Sequence, residues 1–172
     1  MSNISFEDRV VIVTGAGNGL GKAYALELGN RGAKVVVNDL GGSVDGSGSA
    51  SSPADEVANE IIENGGEAVA NYDSVATKEG GESIVQSAID NFGTVDAVIN
   101  NAGILRDKSF ANMSEEELSL IIDVHLKGTF FVSQPAFKVM KEKNYGRIVN
   151  VASPSGLFGN FGQSIMVLQK WE

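Results

Sequence analysis

Chemistry in this chain could hang on four glycines, a few acids and a serine. Gly15, Gly17, Gly19 and Gly21 alternate through the string TGAGNGLG, directly after the apolar run Val10, Val11, Ile12, Val13. A turn without Cβ atoms lets the backbone approach a pyrophosphate. A helix that follows points its free N–H groups and positive dipole end at the anion. The same turn also serves as a plain, close-packed strand-to-helix junction, and the glycines alone do not separate the two readings. Asp39 follows at about 20 residues, the distance at which an acid reaches the ribose in a dinucleotide-binding fold. At a strand end it could equally be a solvated acid. The chain has one histidine, His125, and no cysteine, so a histidine cluster, a thiolate metal site and disulfides are excluded. A net charge of -9 over 172 residues argues against non-specific nucleic-acid binding, which needs a basic face.

The elements that must position these residues follow from periodicity. Residues 10–13 are β-branched and unbroken, as in a parallel strand buried on both faces. The spacing predicts a helix over 20–30 with Leu20, Tyr24, Leu26 and Leu28 on its apolar face, closed by Gly32. A strand over 34–38 ends in Asp39. Residues 41–52 are almost all Gly, Ser and small polar types, a flexible excursion within one domain. Ser52 and Pro53 start a helix with Val57, Ile61 and Ile62 inward, and Gly65 stops it. A strand over 68–72 leads to Asp73. The next helix buries Ile84, Val85, Ala88, Ile89 and Phe92 and ends at Gly93. A strand over 95–100 opens into Asn101, Ala102 and Gly103. Ser114 and Glu117 form a capping box. Helical pattern then runs to about residue 143, with a break near Asp123 and a kink at Pro135. The fifth strand, over 146–151, ends at Ala152 and Ser153.

This alternation predicts an α/β fold, a doubly wound parallel sheet of order 3-2-1-4-5, Rossmann-like. Ligands in such sheets sit outside the strand carboxyl ends, where the order reverses. Gly15 to Gly21, Asp39, Asp73, Asn101 and Ser153 all follow strand ends. That convergence selects the dinucleotide reading over the bare turn. No apolar run reaches the length of a membrane span, and the polar N-terminus MSNISFEDR lacks a signal-peptide core, so the expectation is an intracellular soluble protein.

TGAGNGLG, with Gly15, Gly19 and Gly21, resembles the cofactor turn of the short-chain dehydrogenases/reductases. Asn100-Asn101-Ala102-Gly103 resembles that family's NNAG motif, and Ser153 its active-site serine. The strings VVVNDLGG, ANYDSV, NNAGILRDKSF, VHLKGTF and GLFGNFGQ are similar to the (3R)-hydroxyacyl-CoA dehydrogenase branch found in peroxisomal multifunctional enzymes. The resemblance covers residues 4–163. It implies hydride transfer between a substrate carbinol carbon and NAD, with a tyrosine as general acid/base. A lysine four residues later lowers the tyrosine's pKa, and a serine, here Ser153, orients the substrate oxygen. Asp39 would accept the adenosine ribose hydroxyls and favour NAD over NADP. Asp73 and Ser74 would border the adenine, and Asn101 the ribose. Gly15, Asn18, Gly19, Leu20, Gly21, Ala102 and Gly103 would complete the cofactor site. The resemblance also implies an acyl-CoA substrate, a homodimer and the peroxisome, with no metal, membrane or nucleic-acid partner. No targeting signal is visible in the chain, so an unsorted product would stay in the cytosol.

Two positions depart from the pattern. His125 stands where the wider family often has an asparagine, either as a satisfied helix histidine or as support for the lysine. Met166 stands thirteen residues past Ser153, where the family requires its tyrosine, although Lys170 occupies the lysine position. A thioether cannot exchange the proton. Residues 1–163 therefore form an incomplete NAD-binding domain, and 164–172 a non-family tail. Allowed codons for that tail, read in a shifted frame from the serine codon at 164, give Asn-Tyr-Gly-Ser-Ala-Lys-Met-Gly, with tyrosine and lysine at family spacing. The expectation is a frameshifted, inactive dehydrogenase unit. The alternatives are a non-catalytic dinucleotide-binding or regulatory remnant, or a gene-model product. The fifth strand is expected to be an exposed apolar edge, so folding is expected to be marginal.

Overall fold

The structure, a computed structural model, describes residues 4–41, 52–106 and 109–158. Its strands are β1 (Val10–Thr14), β2 (Lys34–Asn38), β3 (Glu67–Asn71), β4 (Ala97–Asn100) and β5 (Arg147–Asn150). They form one parallel sheet in the order β3-β2-β1-β4-β5, the order the alternation predicts. The helices are α1 (Gly19–Asn30), α2 (Ser52–Glu63), α3 (Lys78–Phe92), α4 (Glu115–Ile122), α5 (Gly128–Glu142) and the short α6 (Pro154–Phe158).

Successive strand residues face opposite sides, so the sheet builds two cores. Val11, Val13, Val35 and Val37 pack with Ala54, Val57 and Ile61 beneath α1 and α2. Val10, Ile12, Val36 and Val98 pack with Ile84, Val85, Val132 and Ala136 beneath α3 and α5. Burial of each of these larger side chains contributes roughly 1.5–3 kcal/mol. This explains why β1, sandwiched between β2 and β4, is buried at every position.

Helix α1 differs from its expected face. The residues it buries are Gly21, Ala25 and Gly29, while Leu20 is 63% exposed. Tyr24, Leu26 and Leu28 are only partly buried against the α1/α2 core. Small residues four apart let the helix lie close to its neighbours. A Cβ on Gly29 would come to 2.7 Å from Ile61 of α2. A search for large apolar residues misses such a face.

Other helix signals hold. Thr77 caps α3 by accepting from the Gly80 N–H, and Gly93 closes it at φ 79°. The Ser114–Glu117 capping box is formed in both directions. The break expected near Asp123 is a π-helical turn, Asp123–Lys127, between α4 and α5. Pro135 does not end or divide α5. Having no N–H, it leaves the Phe131 carbonyl without the usual helical donor. That carbonyl lies against Gly81 of α3, where a Cβ would approach it to 2.5 Å. The glycine lets the two helices touch where the proline frees the backbone.

β5 pairs only with β4 among the described residues, and all four of its residues are exposed, Val149 to 49%. At the amino end of the sheet, Asp96 is buried. It accepts from the Val10 N–H at 2.8 Å and from Lys143 Nζ at 2.5 Å, with Arg9 3.6 Å away. Burial alone would raise its pKa. The Lys143 hydrogen bond, the Val10 N–H and the Arg9 charge outweigh that and hold the carboxyl below its ordinary range. The excursion over 42–51 and residues 159–172, with Met166 and Lys170, lie outside the described residues.

Candidate active site and nucleotide cleft

The strand carboxyl ends of β1, β2, β3 and β4 open into one cleft of about 390 Å³. Its lining includes Gly15, Asn18 and Gly19 after β1, and Asn38, Asp39 and Leu40 at the end of β2. Asp73, Ser74 and Val75 follow β3, and Asn101, Ala102, Gly103 and Ile104 follow β4, with Val124 from the π-helical turn. Nine residues singled out from the sequence therefore meet here: Gly15, Asn18, Gly19, Asp39, Asp73, Ser74, Asn101, Ala102 and Gly103.

The glycine turn is held from several sides. Gly15 adopts φ 62°, and a Cβ there would sit 2.8 Å from Ala102 Cα. The Asn101 amide donates to the carbonyls of Thr14 and Gly15, both at 3.0 Å. Thr14 Oγ1 accepts from the N–H groups of Asn101 and Ala102, each at 3.1 Å. Thr14 and Asn101 thus tie the end of β1 to the end of β4 across the point where the strand order reverses. Sequence reasoning does not single out Thr14, whose one signal is a hydroxyl at the last position of a buried strand. Gly21 does not line the cleft but is a packing residue, because a Cβ on it would fall 2.1 Å from the Gly15 carbonyl oxygen. Leu20 is exposed and also outside the lining.

Helix α1 begins without a capping side chain, since Asn18 makes no side-chain cap hydrogen bond. Its first-turn N–H groups therefore open at the cleft with the positive end of the helix dipole, the arrangement that suits a phosphate. Asp39 closes the far side of the turn. Its Oδ2 accepts from the Gly17 N–H and its Oδ1 from the Gly41 N–H, both at 2.8 Å. Each carboxylate oxygen has two lone pairs, so both keep capacity for a ribose hydroxyl.

His125 reaches the same wall. Its Nε2 lies 2.9 Å from the Ile104 carbonyl oxygen and 3.1 Å from the Ile104 nitrogen, so it donates to one or accepts from the other according to tautomer. Gly103 makes room for the ring, since a Cβ there would come to 2.6 Å from His125 Cε1. In this arrangement the histidine fastens the segment after β4 to the π-helical turn.

Ser153 lies beyond β5 and outside the cleft lining, and its Oγ accepts from the Ser155 N–H at 3.2 Å. Its strand is aligned by Asn100, whose amide donates to Asn150 Oδ1 and to Ser133 Oγ, both at 2.9 Å. Among the described residues no cluster of His, Cys, Asp or Glu could hold a metal ion, and no helix is long and apolar enough to cross a membrane.

Known proteins share this architecture. The short chain dehydrogenase profile matches residues 9–166. The chain is 60% identical over 162 residues to the peroxisomal hydratase-dehydrogenase-epimerase of Saccharomyces cerevisiae, covering 94% of this chain and 18% of that protein. It superposes on full-length peroxisomal multifunctional enzyme type 2 from Drosophila melanogaster with a TM-score of 0.78 and 44% identity, over 97% of this chain and 26% of that one. NAD+-bound xylitol dehydrogenase gives a TM-score of 0.87 at 27% identity, covering 97% of this chain and 61% of that one. The chain thus spans about a fifth of the length of the yeast relative. With the glycine turn, the strand order and the profile in agreement, the chain belongs to the short chain dehydrogenase family.

Proposed function

We propose that this chain is the nucleotide-binding part of an NAD-dependent (3R)-3-hydroxyacyl-CoA dehydrogenase unit, and that on its own it binds NAD without turning over substrate. The observation that carries the cofactor reading is Asp39, on the cleft beside the glycine turn. Its carboxylate accepts hydrogen bonds from a ribose 2′-hydroxyl and repels a 2′-phosphate. The uncapped start of α1 supports a pyrophosphate next to it. NAD, when bound, supplies the hydride acceptor. The chain's own residues hold and orient it: Gly15 and Gly19 admit the phosphates, Asp39 the ribose, and Asp73 and Ser74 the base.

The acyl-CoA substrate and peroxisomal setting rest on likeness to the yeast and fly multifunctional enzymes. Ser153 would orient the substrate oxygen, and Lys170 matches the family lysine by position alone. Met166 removes the general acid/base, a contribution commonly worth ~10² to 10⁴-fold in rate. The exposed stripe of Leu126, Phe130 and Phe137 supports pairing with a second copy through α5. We read 1–163 as the dehydrogenase-derived unit and 164–172 as a tail in a shifted frame. The test is to titrate NAD into the purified chain and to assay it in parallel with a (3R)-3-hydroxyacyl-CoA. Binding without formation of reduced nicotinamide is the expected result. Turnover that Ser153→Ala abolishes would overturn the inactivity, and a wild-type chain that binds no NAD would overturn the cofactor reading.

A further inference from the structure

At the amino end of the sheet, away from the cleft, one aromatic ring gathers three cations. Tyr145 stands in the turn between α5 and β5. The Arg9 guanidinium carbon lies 4.3 Å from the centre of its ring, the Arg147 guanidinium carbon 5.1 Å and Lys143 Nζ 5.9 Å. Pairings of this kind occur about once per 70–80 residues, so three on one ring is a local concentration and not background. The topology makes it. Arg9 precedes β1 and Arg147 opens β5, with β4 between these strands in the sheet. The turn that carries the ring is firmly held. The Tyr145 N–H donates to the Met140 carbonyl and the Arg147 N–H to the Asp96 carbonyl, both at 3.0 Å. A Cβ on Gly146 would come to 2.4 Å from Met140, so the turn packs closely on the end of α5.

Charge in this cluster does not balance. Among the described residues, Asp96 is the one acid in ion-pair contact with its cations, and it is already engaged by Lys143 and the Val10 N–H. Arg147 meets no acid among the described residues, and its Nη1 donates to the Gly146 carbonyl at 2.8 Å. A guanidinium carries five N–H donors, so Arg9 and Arg147 keep most of theirs for a group outside the chain. Both are accessible: the Arg9 side chain is 43% exposed, Arg147 is exposed, and Tyr145 is exposed to 36%. A guanidinium stacked on a ring is preorganised and loses less freedom on binding. We propose that Arg9, Tyr145 and Arg147 form a docking surface for a short acidic segment of a partner protein. The two guanidinium groups lie within about 10 Å of each other, a spacing that suits carboxylates two residues apart on an extended segment, about 7 Å. The shared ring adds an apolar contact, and arginine and tyrosine are the residue types that most often carry interface energy. Glu7, Asp8 and Glu142 are exposed next to the cluster in the chain and pair with none of its cations, so a continuous phosphate backbone is repelled. The surface lies at the opposite end of the sheet from the nucleotide cleft and does not depend on a cofactor.

The test titrates a capped peptide, Gly-Glu-Ser-Glu-Gly, into the isotopically labelled chain at low ionic strength. The comparison ligands are Gly-Gln-Ser-Gln-Gly, inorganic phosphate and a short single-stranded DNA. The acidic peptide is expected to shift Arg9, Tyr145 and Arg147 and to bind about tenfold more tightly than each comparison ligand. Arg147→Gln should weaken it about tenfold, and Arg147→Lys, which keeps the charge but not the fork, about threefold. Arg147 is exposed at the start of β5, so its replacement leaves the core intact, and far-UV circular dichroism and the urea midpoint check this. Arg9→Gln, expected to lose about as much as Arg147→Gln, gives a second reading. Lys78→Gln removes the same charge on α3, where the lysine pairs with Glu82, and should leave binding unchanged. A wild type that does not bind the acidic peptide, shifts confined to another surface, equal binding of any comparison ligand, or equal losses in Arg147→Gln and Lys78→Gln would each overturn the proposal. NAD enters no arm of this experiment, so the docking surface and the cofactor reading fail separately.

Discussion

Replacing Gly21 by alanine should break the nucleotide turn without touching a ligand. Gly21 lies in the first turn of α1, where alanine is normally favoured over glycine by about 0.5–1 kcal/mol. Here the added Cβ would lie 2.1 Å from the Gly15 carbonyl oxygen, 2.5 Å from Asn101 Nδ2 and 2.8 Å from the Gly15 carbonyl carbon. An ordinary C···O contact is about 3.3 Å, so the overlap exceeds an ångström. None of the three atoms can yield cheaply. Gly15 is itself pressed against Ala102, and Asn101 is tied to Thr14 and Gly15. Overpacking of this kind costs roughly 1–3 kcal/mol, and backbone contact puts it at the upper end. After the helix-propensity gain, a net loss of about 2 kcal/mol is expected, or about 4–8 °C in Tm for a chain of this size. Gly29→Ala is the control. The nearest contacts of its Cβ would be side-chain atoms of Ile61, from 2.7 Å, rather than the backbone of the nucleotide turn. Because Ile61 is buried and β-branched, a loss of roughly 1–3 kcal/mol is expected, with NAD affinity unchanged. The assay is urea unfolding with an NAD titration on each variant. Gly21→Ala should also weaken NAD by about tenfold or more, since the turn that admits the phosphates must shift. A Gly21→Ala protein that unfolds at the wild-type midpoint, or a Gly29→Ala protein whose NAD affinity falls as far as that of Gly21→Ala, would refute the reasoning.

Other outcomes follow from the same contacts. Asp96→Asn should lose about 2 kcal/mol near neutral pH, because it removes the charge partner of Lys143 and Arg9. The folded-state pKa of Asp96 is lowered, so its contribution is complete above the unfolded value of 3.8 and fades as pH falls through the folded one. Urea midpoints of wild type and variant should therefore differ by a constant amount above about pH 5 and converge in stronger acid; a gap that stays constant down to about pH 2 would contradict this. Val149→Lys, on the uncovered β5, should reduce concentration-dependent association in light scattering and the binding of an apolar dye, with unchanged circular dichroism; undiminished association would mean that another surface is responsible. The nucleotide sequence from codon 164 onward should permit the Asn-Tyr-Gly-Ser-Ala-Lys reading in the shifted frame and continue as dehydrogenase sequence, and codons that forbid that reading would remove the frameshift.

The centre of the sheet was legible in the sequence because β1 and β2 are short β-branched runs, each followed by a residue of a different kind. Val10 to Val13 lead to the glycines, and Val35 to Val37 lead to Asp39. The order 3-2-1-4-5 follows from right-handed crossovers, and it brought Gly15, Asp39, Asp73 and Asn101 to one cleft as expected. The face of α1 was not legible. Periodicity searches weigh large apolar side chains, whereas this helix buries Gly21, Ala25 and Gly29. Pro135 was legible as a lost helical hydrogen bond but not in its tertiary consequence. The rule counts the lost hydrogen bond, but not that the freed Phe131 carbonyl meets Gly81 on a neighbouring helix. The role of Thr14 was also hidden. It acts by hydrogen bonds to residues distant in sequence, and no local spacing marks that.

The most direct test of the cofactor site is a pair of titrations, NAD and NADP, into the isotopically labelled chain, with the backbone shifts mapped by residue. NAD should bind more tightly than NADP. Shifts should be concentrated at Gly15 to Gly19, at Asp39 and Leu40, at Asp73 to Val75 and at Asn101 to Ile104, which line the cleft. Asp39→Ala should narrow the preference. Tighter binding of NADP, or shifts confined to the opposite end of the sheet around Glu27, Arg31 and Asn64, would contradict it.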